Sequence, residues 1–505
     1  MRTAAKTAAM MAILTLGLKG LGFLREVFMA GFFGTSYITD AYVMASSIPG
    51  IIFAGVFTSV AVSYMPIFSQ IVEKQGIEKG NRFTNEAINL IMVVAFFLSV
   101  LGIIFSDQVV SIFAVGFKGQ TAALTSFYLK ITFLYVVFTA VSGILEAYLQ
   151  YRGSFLKPIL AGYLQSGFVL IAIVISAYYS HYFLAWGLLI GSALRTVAIV
   201  HVAGKKGFSY KLTVKISNSA KQIAILAVPV FIGSTVNQIN SFVDKMLASG
   251  LDEGSVSALN YGYLLITLIT SLTITIVVTI IYPKLTQAVA LKERDNFNDA
   301  INKGFNINLI IGLPCSLGAM LYSQPAVQLI FERGAFDAAS TALTGSAFFY
   351  YSIGLTFIGI NALLVKVYYA MQDMKHPVIC GVFGAATNII LNLLLVDTMA
   401  HRGLALATSI AAIVNSVLLY QILQKKYPHV RVVNDRAKLG KIILSATASV
   451  GISWAVYAPL AKIAAVPNIV TLGLAVIVAC LVYLLSLKMF KVEEIDMLKQ
   501  VIKFK

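Results

Sequence analysis

Lys19, Gly22, Arg25 and Glu26 fall within roughly a third of the circumference of a helix that advances about 100° per residue. All four lie in one apolar run. A charge surrounded by apolar sequence is costly unless it faces a cavity or a partner. Lysine and arginine in one stripe suit the neutralisation of an anionic group, a phosphate above all. The plainer alternative is a Lys/Arg–Glu pair that locks this helix to a neighbour. Asp40 opens the next run, in Thr39-Asp40-Ala41-Tyr42. It suits a helix N-cap, a pair with Arg25 or a contact with a ligand. Lys130 either meets an anion or snorkels to the membrane surface, and Arg195 is expected to snorkel. Glu146 is expected at the interface, and Lys366 stays open between the two roles.

A second set carries oxygen ligands. Asp244 and Lys245 precede the loop Gly250-Leu251-Asp252-Glu253-Gly254, beside which both would be solvated. Asn388 and Asn392 are four residues apart and share a helix face. Thr408 adds a hydroxyl. A carboxylate with amide and hydroxyl oxygens is hard-ligand chemistry suited to Na+. The alternative is that Asn and Thr join membrane helices by hydrogen bonds.

The elements that must position these residues are apolar. Of 505 residues, 59% are hydrophobic and 12% charged, with a mean hydropathy of +0.86. A soluble surface needs more charge, so lipid is the solvent. The apolar runs predict an all-α integral membrane protein of about fourteen transmembrane helices. Their spans are 8–32, 40–68, 87–113, 122–149, 158–179, 183–203, 222–249, 256–283, 304–322, 340–370, 377–396, 403–424, 441–460 and 467–487. The runs are continuous and do not alternate, which argues against a β-barrel. Arg2 and Lys6 precede the first run without a small-residue cleavage site, so it reads as an uncleaved helix. Pro49, Pro229, Gly233, Pro314 and Gly354 lie inside spans, where they bend helices or allow close packing. Cys315, Cys380 and Cys480 have no paired spacing and read as buried packing residues.

The net charge of +17 is unevenly placed. With the N-terminus in the cytoplasm, 28 of the 38 lysines and arginines are cytoplasmic, four are outside and six lie within spans. This asymmetry predicts an even helix number with both termini cytoplasmic. The basic balance then reflects topology and anionic-lipid contact, and nucleic acid is not expected as a partner.

The two halves resemble each other at an offset near 217–221 residues. YMPIFSQ pairs with IYPKLTQ, placing Pro66 against Pro283. FSDQVVSIFAVGF pairs with YSQPAVQLIFERGAF. AYLQYRGSFLKP pairs with VYYAMQDMKHP, placing Pro158 against Pro377. Six helices per repeat is an even number, so the repeats run parallel, as N- and C-lobes around a central cavity. The expected division is an N-lobe at 1–215, a C-lobe at 216–430 and two further helices at 431–505.

This plan resembles the multidrug/oligosaccharidyl-lipid/polysaccharide exporter superfamily. The segment GFLREVFMAGFFGTSYITDAYVMASSIP, Gly22 to Pro49, resembles the MurJ (MviN) lipid II flippase family. So do QINSFVDKMLASGLDEGSVSALNY, FERGAFDAAST, VYYAMQDMKHPV and GLALATS, in order along nearly the whole chain. The resemblance implies a flippase of the bacterial plasma membrane. It would move a lipid-linked peptidoglycan precursor, or another undecaprenyl-pyrophosphate-linked glycan, by alternating access. It implies basic residues at Lys19, Arg25, Lys130 and Lys366, and a lipid-tail groove at 431–505. A monomer among membrane lipids is expected, with no cofactor but with Na+ or proton coupling.

The sequence also departs from the family. GIIFAGVFTSV follows Pro49, where many members carry paired arginines and a glutamate. GYLLITLITSL follows Tyr261, where many carry an arginine and a proline. A less cationic cavity follows, which keeps export of another lipid-linked glycan or of small amphiphiles as an alternative. A membrane-embedded transferase would need placed acids, bases or metal ligands. His181, His201, His376, His401 and His429 form no motif, and no DxD, HExxH or P-loop is present.

Overall fold

The computed structural model describes residues 2–212, 217, 240, 242–430, 436–463 and 467–492. Seven helices come first: α1 (Arg2–Phe33), α2 (Tyr37–Gln75), α3 (Ile77–Ile104), α4 (Ser106–Phe113), α5 (Gly119–Tyr151), α6 (Leu156–Tyr178) and α7 (Phe183–Lys205). A helical stretch at 242–248 precedes α8 (Ser255–Ile276), a π-helical turn (Val277–Ile281) and α9 (Tyr282–Ala290). Then follow α10 (Arg294–Leu321), α11 (Ser323–Phe331), α12 (Ala338–Ser352), α13 (Leu355–Ala370), α14 (Lys375–Met399), α15 (His401–Lys426), α16 (Arg436–Leu460) and α17 (Asn468–Met489).

Among the described residues, ten helices are long and apolar enough to cross a membrane, or eleven if α12 and α13 count as one bent span. Helices α1 and α2, of 32 and 39 residues, cover the first two expected spans. Most of the seventh span, 222–239 and 241, lies outside the described residues, together with Pro229 and Gly233. Side chains such as Phe96, Phe97, Leu394 and Leu485 are more than 60% exposed. An apolar surface of this kind is stable only against lipid.

The duplication is visible in the backbone. Helix α3 runs 28 residues, breaks at Phe105 (φ −97°, ψ 23°) and restarts as α4. Helix α10 also runs 28 residues, breaks at Tyr322 (φ −101°, ψ 21°) and restarts as α11. Pro325 sits in the first turn of α11, where its missing N–H has no intrahelical partner to lose.

The chain divides into two compact units, Met1–Ser257 with Arg333–Asp337, and Ala258–Glu332 with Ala338–Lys505. Segments 242–257 and 333–337, both within the expected C-lobe, therefore pack with the first unit. In that unit α6 packs on α7 and α1, and α5 packs on α2, α3 and α7. Rings of Tyr64, Phe68 and Phe83 stack at 5.2 and 5.6 Å, and Tyr148 meets Phe68 edge-on at 5.5 Å. The second unit has a core of Ile281, Leu285, Leu363, Val367, Leu419 and Leu423. The two helices beyond the repeat join it by hydrogen bonds: Tyr483 donates to the Ile310 carbonyl at 2.8 Å, and the Ser453 and Tyr322 hydroxyls bond at 2.6 Å.

Helices α12 and α13 meet at 44°. Ser409 of α15 satisfies the backbone groups freed there: its hydroxyl accepts from the Gly354 N–H at 3.0 Å and approaches the Tyr350 carbonyl at 2.7 Å. A side chain on residue 354 would strike the Ser409 backbone, so Gly354 serves close packing at this bend. Pro49 and Pro314 lie inside α2 and α10. All three cysteines are free, but only Cys380 is buried; Cys315 is half-buried and Cys480 exposed. Cys480 lies on an outer face of α17, so apolar sequence around it did not mean burial.

Candidate functional site

Helix α1 forms from alanine, leucine, methionine and glycine without a β-branched run, and it carries three of the expected site residues. Lys19 is exposed. Arg25 and Glu26 lie about 100° apart, towards opposite sides of the stripe, and the long guanidinium folds back to its neighbour. Arg25 Nη2 donates to Glu26 Oε1 at 2.9 Å, with the side chains 29% and 15% exposed. Tyr42 of α2 lies within electrostatic reach of both.

A fourth charge joins them from far along the sequence. Lys245, in the stretch 242–248, donates from Nζ to Ser47 Oγ of α2 at 2.6 Å. Glu26 and Asp244 are its charged neighbours. The expectation of a solvated pair beside the 250–254 loop is corrected here. Lys245 turns inward against α2, because a hydroxyl acceptor and a carboxylate await it there. The first unit thus gathers Arg25, Glu26, Lys245 and Asp244, a set the sequence did not bring together.

Asp40 is buried, 2% exposed. Its Oδ2 accepts from the Gly254 N–H at 2.7 Å and its Oδ1 from the Ser257 N–H at 2.8 Å. Both donors are orphan groups at the start of α8, so Asp40 caps a helix other than its own. Thr39 donates to the Gly34 carbonyl at 3.0 Å and fixes the entry to α2. Lys130 is exposed on α5. Lys366 lies over two rings, Tyr282 at 5.2 Å and Tyr369 at 5.4 Å, a cation–π seat.

Within the first unit a cavity of about 450 Å³ opens between α1, α5, α6 and α7. Arg25 lines it, and so do Glu146, Gln165 and Arg195. Arg195 Nη2 donates to Glu146 Oε1 at 2.5 Å, and Nη1 to Gln165 Oε1 at 3.0 Å. The expected snorkelling of Arg195 is therefore corrected: it pairs with Glu146 across helices, and each charge offsets part of the other's desolvation cost.

In the second unit Asn388 and Asn392 are fully buried. Asn392 Nδ2 donates to Asn388 Oδ1 at 2.9 Å, and Asn388 Nδ2 to Thr408 Oγ1 at 3.2 Å. Three of the four expected cation ligands thus meet on the seam of α14 and α15. Asp244 belongs to the first unit. The donors are neutral hard oxygens, which fit a monovalent cation better than a transition metal. Among the described residues no group of three His, Cys, Asp or Glu could hold a metal. His401 is bonded to Ser346 at 2.8 Å, and His376 to Asp373 at 2.7 Å.

A family model described as lipid II flippase MurJ matches residues 29–489. The chain is 29% identical over 438 residues to a probable lipid II flippase MurJ of Rhizobium meliloti (strain 1021), covering 81% of this chain and 78% of that protein. It is similar to a solved structure of lipid II flippase MurJ in an inward closed conformation, with 26% identity and a TM-score of 0.83 over 95% of this chain and 98% of that one. A multidrug resistance MATE family transporter of the MOP superfamily, in its inward-facing conformation, shares the fold with a TM-score of 0.69 at 14% identity, over 83% of this chain and 98% of that one.

Proposed function

The chain belongs to the lipid II flippase MurJ family, a multi-pass membrane protein, and from that premise we propose that it carries lipid II across the bacterial plasma membrane by alternating access. Both termini face the cytoplasm in this reading, which the lysine and arginine asymmetry supports. The observation that carries it is the charged group of the first unit. Arg25 and Lys245 are inward-facing cations held by short hydrogen bonds. Charges of this kind inside a membrane protein belong to a transport path by default. The pyrophosphate of the cargo is neutralised by Arg25, with Lys19 and Lys245 adding charge along its way. Lys245 supplies a cation that the apolar stretches after Pro49 and Tyr261 do not. Asp40 holds the turn at Gly254, Lys130 meets the headgroup late in transport, and the lipid tail follows α16 and α17 in the bilayer. The protein works as a monomer.

Coupling to Na+ is part of the proposal, with Asn388, Asn392 and Thr408 of the second unit supplying neutral oxygens. Asn392→Leu should abolish sodium-dependent stabilisation of the purified protein. An unchanged sodium response removes the ion from the mechanism.

The test of the whole reading is complementation in a bacterium depleted of its own lipid II flippase, paired with a leaflet assay for lipid II. Rescue should require Arg25 and Lys245. Failure of a well-expressed, inserted protein would redirect the reading to another undecaprenyl-pyrophosphate-linked glycan.

A further inference from the structure

The cavity between α1, α5, α6 and α7 has two unlike ends. At one end stands Arg25, whose partner Glu26 does not line the space. At the other, Arg195 is neutralised by Glu146, and both are only partly exposed, 29% and 23%. One wall is apolar, from Leu18 of α1 and Phe155, Pro158 and Ile159 of the α5–α6 turn and α6. Gly162 lets Leu18 approach closely there; a side chain would meet it at 2.9 Å.

The neutral end is rich in unspent hydrogen-bonding groups. Gln165 uses its oxygen for Arg195 and keeps its amide N–H donors. Ser166 and Gln150 also line the space. Burying an arginine–glutamate pair brings little stability by itself, and an apolar replacement is often neutral. The pair and the Gln165 amide beside it together offer a ligand both donors and an acceptor.

The charge pattern selects the ligand. A second anion at this end would lie against Glu146. Hydroxyl and acetamido groups both donate and accept, so they match guanidinium, carboxylate and amide together. A volume of about 450 Å³ lies in the range of small-molecule sites. We infer that Gln165 and the Arg195–Glu146 pair form a subsite for the uncharged, N-acetylated sugar that adjoins a pyrophosphate held at Arg25. This rests on the proposed function, and it assigns the sugar to the first unit.

The test compares two probes on the purified full chain: lipid II, and undecaprenyl pyrophosphate without sugar. The wild-type protein should bind lipid II more tightly. Gln165→Leu should weaken lipid II by about tenfold, the worth of a lost buried hydrogen bond, and leave undecaprenyl pyrophosphate unchanged. Arg195→Lys keeps the charge but loses the planar fork that holds Gln165 and Glu146 together, and it should show the same selective loss. Arg25→Ala should weaken both probes by the same factor. Thermal unfolding identifies a variant that fails to fold, and the other variant then decides. If both probes bind but neither Gln165→Leu nor Arg195→Lys changes their ratio, the subsite is refuted and the transport reading stands. If the wild type binds neither, the transport reading fails and takes the subsite with it.

Discussion

Two helices of the first unit and three of the second end in the same backbone motif on different residues. Helix α5 ends through Gly153 (φ 70°) and α7 through Gly207 (φ 88°). In the second unit α9, α13 and α17 end through Lys292 (φ 57°), Gln372 (φ 61°) and Lys491 (φ 55°). The hydrogen bonds repeat faithfully. Ser154 N–H reaches the Leu149 carbonyl at 2.8 Å, and Asp373 N–H reaches the Tyr368 carbonyl at 2.9 Å. The same bond joins Phe208 to Ala203, Glu293 to Ala288 and Val492 to Leu487. Each is a Schellman cap with its left-handed residue one place beyond the C-cap. Glycine adopts that conformation without cost, whereas glutamine and lysine do not.

The difference shows where each unit draws its support. The first unit relies on glycine, and its half-buried charges pair inside it: Arg25 with Glu26, Arg195 with Glu146, and Lys245 with the Ser47 hydroxyl. Two of the strained caps of the second unit have side-chain support. At Gln372 the support is Asp373, which accepts from His376 Nδ1 at 2.7 Å, Lys426 Nζ at 3.1 Å and the Tyr427 hydroxyl at 3.0 Å. Its turn is thereby tied to the end of α15. At Lys292 the ammonium itself favours the negative end of the helix dipole. The seam of α14 and α15 in the second unit is neutral, with Asn388, Asn392, Thr408 and Ser409 bonded among themselves or to the backbone.

The largest effect should come from removing the support. Burial raises the pKa of Asp373, but hydrogen bonds from His376, Lys426 and Tyr427 outweigh it and hold the carboxyl well below the usual carboxylate range. A depressed folded pKa contributes stability that is complete above the unfolded value of about 4 and is lost as pH falls through the folded one. Asp373→Ala should lower apparent stability by about 2 kcal/mol at pH 7, the worth of hydrogen bonds to a partly screened charge. The gap to wild type should begin to narrow as pH falls below about 4 and keep narrowing on further acidification. Thermal unfolding in detergent against pH reads both. A gap independent of pH would mean that the cap does not depend on the charged carboxylate.

Much of this architecture is legible in the sequence. The apolar runs and the pairing of Pro158 with Pro377 announce the helices and the repeat. The stripe of Lys19, Arg25 and Glu26 is visible because helical spacing is local. What stays hidden depends on contacts across long separations: Lys245 with Ser47 is 198 residues apart, Asp40 with Gly254 is 214, and Arg195 with Glu146 is 49. A single arginine in an apolar run looks alike whether it snorkels or pairs. The left-handed caps of the second unit are hidden for another reason. Gln372 and Lys292 are poor markers of a conformation that glycine advertises.

A smaller effect is expected at the glycine caps. Gly153→Ala puts a side chain at φ 70° without nearby support, and it should cost about 1 kcal/mol. No atom would obstruct the new methyl group, so the loss measures backbone strain alone. Gly153→Asn, which tolerates the left-handed region, should recover part of it. Equal losses for alanine and asparagine would place the cause elsewhere than in the backbone angle.

The smallest effects run the other way and divide the Gln372 and Lys292 caps by mechanism. Gln372→Gly relieves left-handed strain while leaving Asp373 in place, so it should raise stability by about 0.5–1 kcal/mol, less the entropy of a freer unfolded chain. Lys292→Gly relieves the same strain but removes a cation from a helix C-terminus worth about 0.3–1 kcal/mol at low ionic strength. Its net effect should be near zero in dilute buffer and become a gain as added salt screens the dipole. The Gln372 variant should show no such salt dependence, because its cap is held by short hydrogen bonds to a largely buried carboxylate. Parallel salt titrations of the two variants read this directly. If both respond alike, the lysine and the aspartate clamp are equivalent supports, and the contrast between glycine caps and held caps reduces to backbone conformation.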